Sequence, residues 1–204
     1  MLIEQPPMLY RLLFPEAVWR VKRPGVLTAY LTFDDGPIPE VTPQVLDILD
    51  RYGVKATFFM VGDNVRRHPE LLDEVRRRGH SVGNHTMHHI QGLKCRWRTY
   101  ARDIAEAEAL INDTRLFRPP HGLMKRVQMR VVNARYNVVM YDVITRDYNR
   151  KLSPERVLHN VRRYTRDGSI IVFHDSLKAA PRTLAILPQA IEWLQSQGYT
   201  LLPL

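Results

Sequence analysis

In the stretch LTFDDGP, residues 31 to 37, two carboxylates, Asp34 and Asp35, stand side by side at the end of an apolar run, and Gly36-Pro37 turns the chain directly after them. Successive side chains of a strand point to opposite faces, so the pair can project together only where the strand has ended. Adjacent carboxylates repel, and burying them is costly without a positive group nearby. A divalent cation would meet that need. Taken alone, a solvent-exposed Asp-Asp-Gly-Pro turn is the commoner reading.

Four further stretches hold residues that can do chemistry. In NHTMHH, residues 84 to 89, His85 and His89 are four apart, so one helical turn presents both rings on one side. Neutral imidazoles at that spacing suit zinc, nickel or iron, and one carboxylate would complete a three-donor face, with Asp35 the natural third ligand. His80 and His88 lack that geometry and are expected at the surface or behind the ligands. FRPPHG, residues 117 to 122, combines a rigid Pro-Pro backbone with Arg118, which can neutralise a carboxylate, and Gly122, which allows a close approach. YDVITRDY, residues 141 to 148, offers Asp142 and Asp147, and IIVFHDS, residues 170 to 176, delivers His174 and Asp175.

All five stretches fall at the ends of segments with strand character. Strands are expected near residues 26–33, 56–62, 80–85, 116–120, 137–143, 169–175 and 199–204. Helices are expected near 42–52, 69–78, 97–113, 123–135, 154–166 after Ser153, and 182–197, with Pro at several starts and Gly past several ends. Such βα alternation implies a parallel sheet of about seven strands with helices outside, either a barrel or a doubly wound sheet. In either architecture the strand ends share one face, where sites are built. The convergence of five chemistry-bearing ends on that face favours a site over five unrelated turns.

Residues 1–25 fall outside the rhythm and form a segment separate from the domain at 26–204. The expectation is that Leu9, Leu12, Leu13, Phe14 and Trp19 press against the domain and plug one barrel end. The other reading lays the segment on a lipid surface as a peripheral membrane contact, with Arg11, Arg20, Lys22 and Arg23 in support.

At 204 residues, 45% hydrophobic and 25% charged, the composition is that of one ordinary globular domain. No apolar stretch approaches the roughly 20 residues of a membrane span, and the start does not read as a secretion signal. The single cysteine, Cys95, excludes an internal disulfide framework, and a cytoplasmic, possibly membrane-associated, location is expected. The formal charge of +9 comes from arginines scattered over helical faces, as in EVRRRGH and NVRRYTRD, which favours solvated surfaces over nucleic-acid binding.

From about Tyr30 onward the chain resembles the polysaccharide deacetylases, carbohydrate esterase family four, whose shared unit is the nodulation-deacetylase homology domain. TFDDGP, GVKATFFMVG and GHSVGNHTMHH, in that order, carry the resemblance. It implies a single-domain distorted (β/α) barrel and a divalent metal, zinc first, with cobalt, nickel or iron as options. By the same resemblance Asp34 is the general base, and Asp35, His85 and His89 hold the metal. Arg118 pairs with the base, Asp147 orients His174, and His174 is the general acid. The sequence departs from the family pattern at His121, where Tyr is usual, at Tyr148, where Trp is usual, and at Val172, where Leu is usual; these three are expected in the walls that bind substrate. The implied substrate is an acetylated carbohydrate and the reaction N-deacetylation of an amino sugar. The alternatives are O-acetyl ester hydrolysis and non-catalytic glycan binding.

Overall fold

Each segment expected to form a strand pairs into one sheet. In the computed structural model, which describes residues 4–204, the strands are β1 (Thr28–Asp34), β2 (Thr57–Met60), β3 (Ser81–Asn84), β4 (Leu116–Phe117), β5 (Asn137–Val138), β6 (Val143–Ile144), β7 (Ser169–His174) and β8 (Thr200–Leu201). All pairings between them are parallel, in the order β5-β4-β3-β2-β1-β7-β6, and β8 lies off this path beside the start of β1. The main path therefore has seven strands, but the expected strand at 137–143 divides into two that occupy opposite edges of it.

That division gives the sheet its shape. Four residues join Val138 to Val143, and an extended chain covers at most about 18 Å over those steps. The two edges must approach within that distance, so the sheet curls into a distorted, incompletely bonded (β/α) barrel. The seam is sealed by the N-terminal segment: Val18 bridges Val139, Arg20 bridges Ser169, and Met140 N–H donates to the Val18 carbonyl at 2.8 Å.

The helices are α1 (Met8–Leu13), α2 (Thr42–Arg51), α3 (Gly62–Arg67), α4 (Pro69–Arg77), α5 (Trp97–Ile111), α6 (Arg126–Asn133), α7 (Pro154–Tyr164) and α8 (Ala180–Ser196). Six match expected helices. Pro at the first turn starts α2, α4, α7 and α8, and the Ser153 hydroxyl caps α7 by accepting from Arg156 N–H at 3.3 Å. The short α1 and α3 were not foreseen, because six residues are too few to show a helical period.

Alternation along the strands separates two cores. Ala29, Leu31 and Phe33 of β1 face outward into the large cluster with α2, α4, α7 and α8. Tyr30 faces inward, with Phe59, Val139 and Ile170. Val18, Val21, Leu202 and Leu204 pack against this inner cluster and close the end of the barrel opposite the site.

The N-terminal segment departs from expectation. Residues 1–3 of the segment lie outside the described residues. Phe14 and Ala17 are buried against Tyr100, Met124 and Met129, and Trp19 packs partly buried beside them. Leu9, Leu12 and Leu13, expected to press inward, are exposed. Polar anchors set this orientation: Arg11 donates to Asp142 at 2.6 Å and Tyr10 to the Gly122 carbonyl at 2.5 Å, so the polar side of α1 is the one turned to the protein. Arg11 is thus committed inward rather than available to a lipid surface.

Candidate active site

Strand β1 ends at Asp34, and Asp35 takes φ 84°, a left-handed turn that carries its carboxylate to the same end of the barrel as that of Asp34. The turn is clamped from β7. Asp175 accepts from Gly36 N–H at 3.0 Å and from the Thr42 hydroxyl at 2.6 Å, while its own N–H donates to the Asp34 carbonyl at 3.1 Å. A Cβ on Gly36 would lie 2.0 Å from the Asp175 carboxylate, so only glycine fits there. Burial pushes the Asp175 carboxyl up to about 7; the Thr42 bond opposes that rise and the nearby Asp35 charge adds to it.

The residues after β3 form an irregular loop rather than the helical turn that the spacing of His85 and His89 suggested. Side chains take the backbone donors a helix would need. Asn84 Oδ1 accepts from Thr86 N–H at 2.8 Å, and Asp103 Oδ2 from Met87 N–H at 2.9 Å and His88 N–H at 3.1 Å. Thr86 and His89 adopt φ 67° and 54°. From the other side the first N–H groups of α3 donate to Thr86 and Met87 carbonyls, both at 2.9 Å. Gly62 makes this contact possible, since a Cβ there would meet the Met87 sulfur at 2.5 Å.

So held, both rings turn to Asp35. His89 Nε2 lies 3.2 Å and His85 Nε2 3.9 Å from Asp35 Oδ1. His85 Nδ1 is 2.7 Å from the Arg118 carbonyl, which can only accept, so the proton sits on Nδ1 and Nε2 is left bare. Burial lowers His85 to about 4 and keeps it neutral. Burial also opposes the charged form of Asp35, but the His89 bond and the histidine charges outweigh it and hold that carboxyl below the usual range.

Arg118, buried at the end of β4, donates to Asp34 Oδ1 at 2.6 Å, to Thr32 at 2.8 Å and to the Met140 carbonyl at 3.1 Å, and its guanidinium lies 4.0 Å from the Phe59 ring centre. Among the described residues no other side chain bonds the Asp34 carboxylate, and Asp34 lines the cleft. Beyond Arg118, His121 sets its ring 4.8 Å from that of His89 at the cleft wall.

The remaining couple comes from β7 and the segment after β6. Asp147 Oδ1 is 2.7 Å from His174 Nδ1, and its Oδ2 accepts from His174 N–H and the Thr183 hydroxyl, both at 2.7 Å. Burial alone would lower His174, but the Asp147 carboxylate, aided by Asp35 and Asp34, pushes it up to about 10. Tyr148 lies edge-on to the His174 ring at 5.1 Å.

Nine of the ten expected site residues line one cleft of about 330 Å³ or directly orient a residue that does. Val172 is the exception. It faces the barrel interior two residues below His174, fully buried, because period-2 alternation puts it one layer beneath the cleft floor. Ile144 of β6, Tyr141 and Lys178 supply wall that the sequence did not suggest. Asp175 was visible as a strand-end carboxylate, but no local signal linked it to Gly36 and Thr42. His80 is buried and accepts from Ala56 N–H at 3.1 Å, away from the cleft. A second grouping of His88, Asp103 and Glu106 is a loop clasp: both Asp103 oxygens are taken by His88 and by the loop N–H groups.

Asp35, His85 and His89 fit a divalent cation. Their donor atoms all lie within 4.8 Å of one another, a carboxylate and two imidazoles are the borderline donor set such ions take, and the Arg118 carbonyl fixes the His85 tautomer as outer-shell partners of metal-bound histidines do.

The chain is also similar to known proteins. Residues 22–139 match the polysaccharide deacetylase family. The chain is 34% identical over 188 residues to a peptidoglycan-N-acetylglucosamine deacetylase of Bacillus cereus, covering 89% of this chain and 87% of that one. It is 33% identical over 192 residues to a chitooligosaccharide deacetylase of Sinorhizobium fredii, covering 86% and 89%. A solved structure of a peptidoglycan N-acetylglucosamine deacetylase, in complex with 4-naphthalen-1-yl-N-oxidanyl-benzamide, superposes with a TM-score of 0.87 at 28% identity, over 93% of this chain and 91% of that one.

Proposed function

The chain belongs to the polysaccharide deacetylase family, and from that premise we propose that it is a metal-dependent hydrolase removing acetyl groups from N-acetylated amino sugars of a glycan or glycan precursor. The observation that carries the reading is the meeting, in one cleft, of a carboxylate with open hydrogen-bonding capacity, a histidine held protonated, and a three-donor cation site. Relatives named for peptidoglycan N-acetylglucosamine and chitooligosaccharides support an N-acetylated glycan as the substrate.

A divalent ion, for which zinc is the first expectation, would be held by Asp35, His85 and His89 and would supply Lewis acidity for water activation and carbonyl polarisation. The chain's own residues do the rest. Asp34, anchored by Arg118 on Oδ1, accepts a proton from the attacking water through Oδ2, which no side chain of the described residues bonds, as the new C–O bond forms. Within PPHG the prolines have no N–H, and Gly122 N–H is taken by the Pro119 carbonyl, so the His121 N–H is the segment's candidate donor to the developing oxyanion. His174 then donates its proton to the amide nitrogen as the C–N bond breaks, releasing acetate and the free amine. Asp147 keeps that proton on the ring and fixes its direction, so proton acceptance and proton donation fall to two separate groups. Tyr148 and His121 flank the cleft as walls for the sugar.

The test joins metal analysis of the purified protein to acetate release from N-acetylated chitooligosaccharides and peptidoglycan fragments. One bound zinc per chain and loss of activity by about 10²–10⁴-fold in Asp34→Asn and His85→Ala are expected. Unchanged acetate release in both variants overturns the reading. Comparing His174→Ala on amide and ester substrates separates N- from O-deacetylation, because an ester leaving group needs the acid less.

A further inference from the structure

Helix α1 is amphipathic in the reverse sense. Met8, Leu9, Leu12 and Leu13 are 78%, 74%, 67% and 55% exposed, while Tyr10 and Arg11 turn inward. At about 100° per residue those four apolar side chains occupy one continuous face of roughly 140°, and Tyr10 and Arg11 occupy the opposite one. The helix cannot roll over to bury its leucines without breaking the Arg11–Asp142 ion pair, the Tyr10–Gly122 bond and the seating of Phe14. A contiguous apolar face locked toward solvent marks a surface built to meet something.

Helix α6 is tied to the N-terminal segment by the Arg126–Glu16 ion pair, and it exposes Val127 (56%) and Val131 (47%). These exposed apolar side chains stand beside the exposed cations Lys125 and Arg130, on a chain of formal charge +9, a combination that complements an anionic lipid surface. The same segment is joined to the cleft wall: Tyr10 bonds the Gly122 carbonyl, Ile144 N–H donates to the Glu4 carbonyl at 2.9 Å, and Glu4 pairs with Arg146 at 2.7 Å. Gly122 and Ile144 both line the cleft.

We propose that the exposed face of α1, extended by α6, is a docking surface for an anionic bilayer, which brings the mouth of the cleft to the membrane surface. The docking is peripheral, since no helix of the described residues is long and apolar enough to cross a membrane. Resting on the hydrolase reading above, the orientation fits a substrate whose acetylated sugar is presented at the membrane surface; the docking itself does not depend on that reading.

Co-sedimentation with vesicles of phosphatidylglycerol and phosphatidylcholine, beside vesicles of phosphatidylcholine alone, tests the proposal with the full chain and a Leu9→Ser/Leu12→Ser variant. The wild type should partition onto the anionic vesicles, weaken as salt is raised, and lose binding at least about tenfold in the double variant. Melting temperature and acetate release from a soluble chitooligosaccharide should be unchanged, which excludes misfolding as the cause. Absence of wild-type binding, equal binding by the variant, or equal binding to the uncharged vesicles overturns the proposal. A wild-type dimer in sedimentation velocity that the same substitutions dissociate also overturns it, assigning the face to a second copy of the chain.

Discussion

Asp34 and Asp142 are both buried carboxylates with an arginine at 2.6 Å, and they sit at different ends of the same barrel with opposite consequences. Asp142 accepts four hydrogen bonds, from Arg11 and Arg166 on Oδ1 and from Arg166 and Ser169 on Oδ2. Burial opposes its charge, but those donors outweigh burial and hold its carboxyl below the usual range. Asp34 accepts from Arg118 alone among the described residues. A carboxylate whose lone pairs are all taken is a strut, because removing any partner strands a buried charge. One with spare capacity beside a cleft can still take a proton. Asp147 and Asp175 belong with Asp142, since each has both oxygens occupied, and they act by holding His174 and Gly36 in place.

The sharpest break of that contrast is to neutralise each member in turn. Asp34→Asn should lower acetate release about 10³-fold with little change in melting temperature. Asp142→Asn should leave acetate release per folded molecule within about twofold and lower the melting temperature by roughly 10 °C, as breaking a buried pair costs about 3–5 kcal/mol. Interchanged effects, read from turnover and thermal melts, would end the distinction between reagent and strut.

Asp147 tests whether a saturated carboxylate can matter through the ring it holds. Asp147→Asn should cost about 10²-fold in turnover, and in metal-free protein the His174 titration followed by NMR should fall from about 10 toward its ordinary range. A ring that still titrates near 10 would remove Asp147 as the cause.

The Asp175 clamp gives a smaller, thermodynamic signal. Gly36→Ala should destabilise by about 1–3 kcal/mol through overpacking, and combining it with Asp175→Ala, which clears the obstructing carboxylate, should cost less than the sum of the two single changes. Strict additivity in denaturant unfolding would mean the two groups do not press on each other.

Smallest is a pH effect in the metal-free protein. A histidine raised above its unfolded value contributes stability that is complete below about 6.5 and is lost as pH rises through about 10. The Asp175 contribution, raised in the same sense, is spent by about 7. Stability should therefore decline between pH 7 and 10 and be flatter in Asp147→Asn, as measured by thermal melts across that window.

The strands and six of the helices were legible because periods of 2 and 3.6 are local properties, as were the Pro and Gly signals at helix ends. His85 and His89 illustrate the limit of such reading: their partnership was visible from spacing, but the backbone between them is a loop, because Asn84 and Asp103 take the N–H groups a helix would use. Helix α1 shows the same limit, with its apolar face turned outward by bonds to residues that its own sequence does not contain.

What the sequence determined by itself was the inventory: two carboxylates where a strand stops, two imidazoles near them, an arginine, a His-Asp pair of distant segments, and the alternation that sends their strand ends to one face. What the tertiary structure decided was which of these groups remain uncommitted. Arg118 meets Asp34 across 84 residues, Arg11 meets Asp142 across 131, and Asp175 meets Gly36 across 139. Hydrogen-bond saturation is set by such long-range partners, and chain-local periodicity holds no record of them.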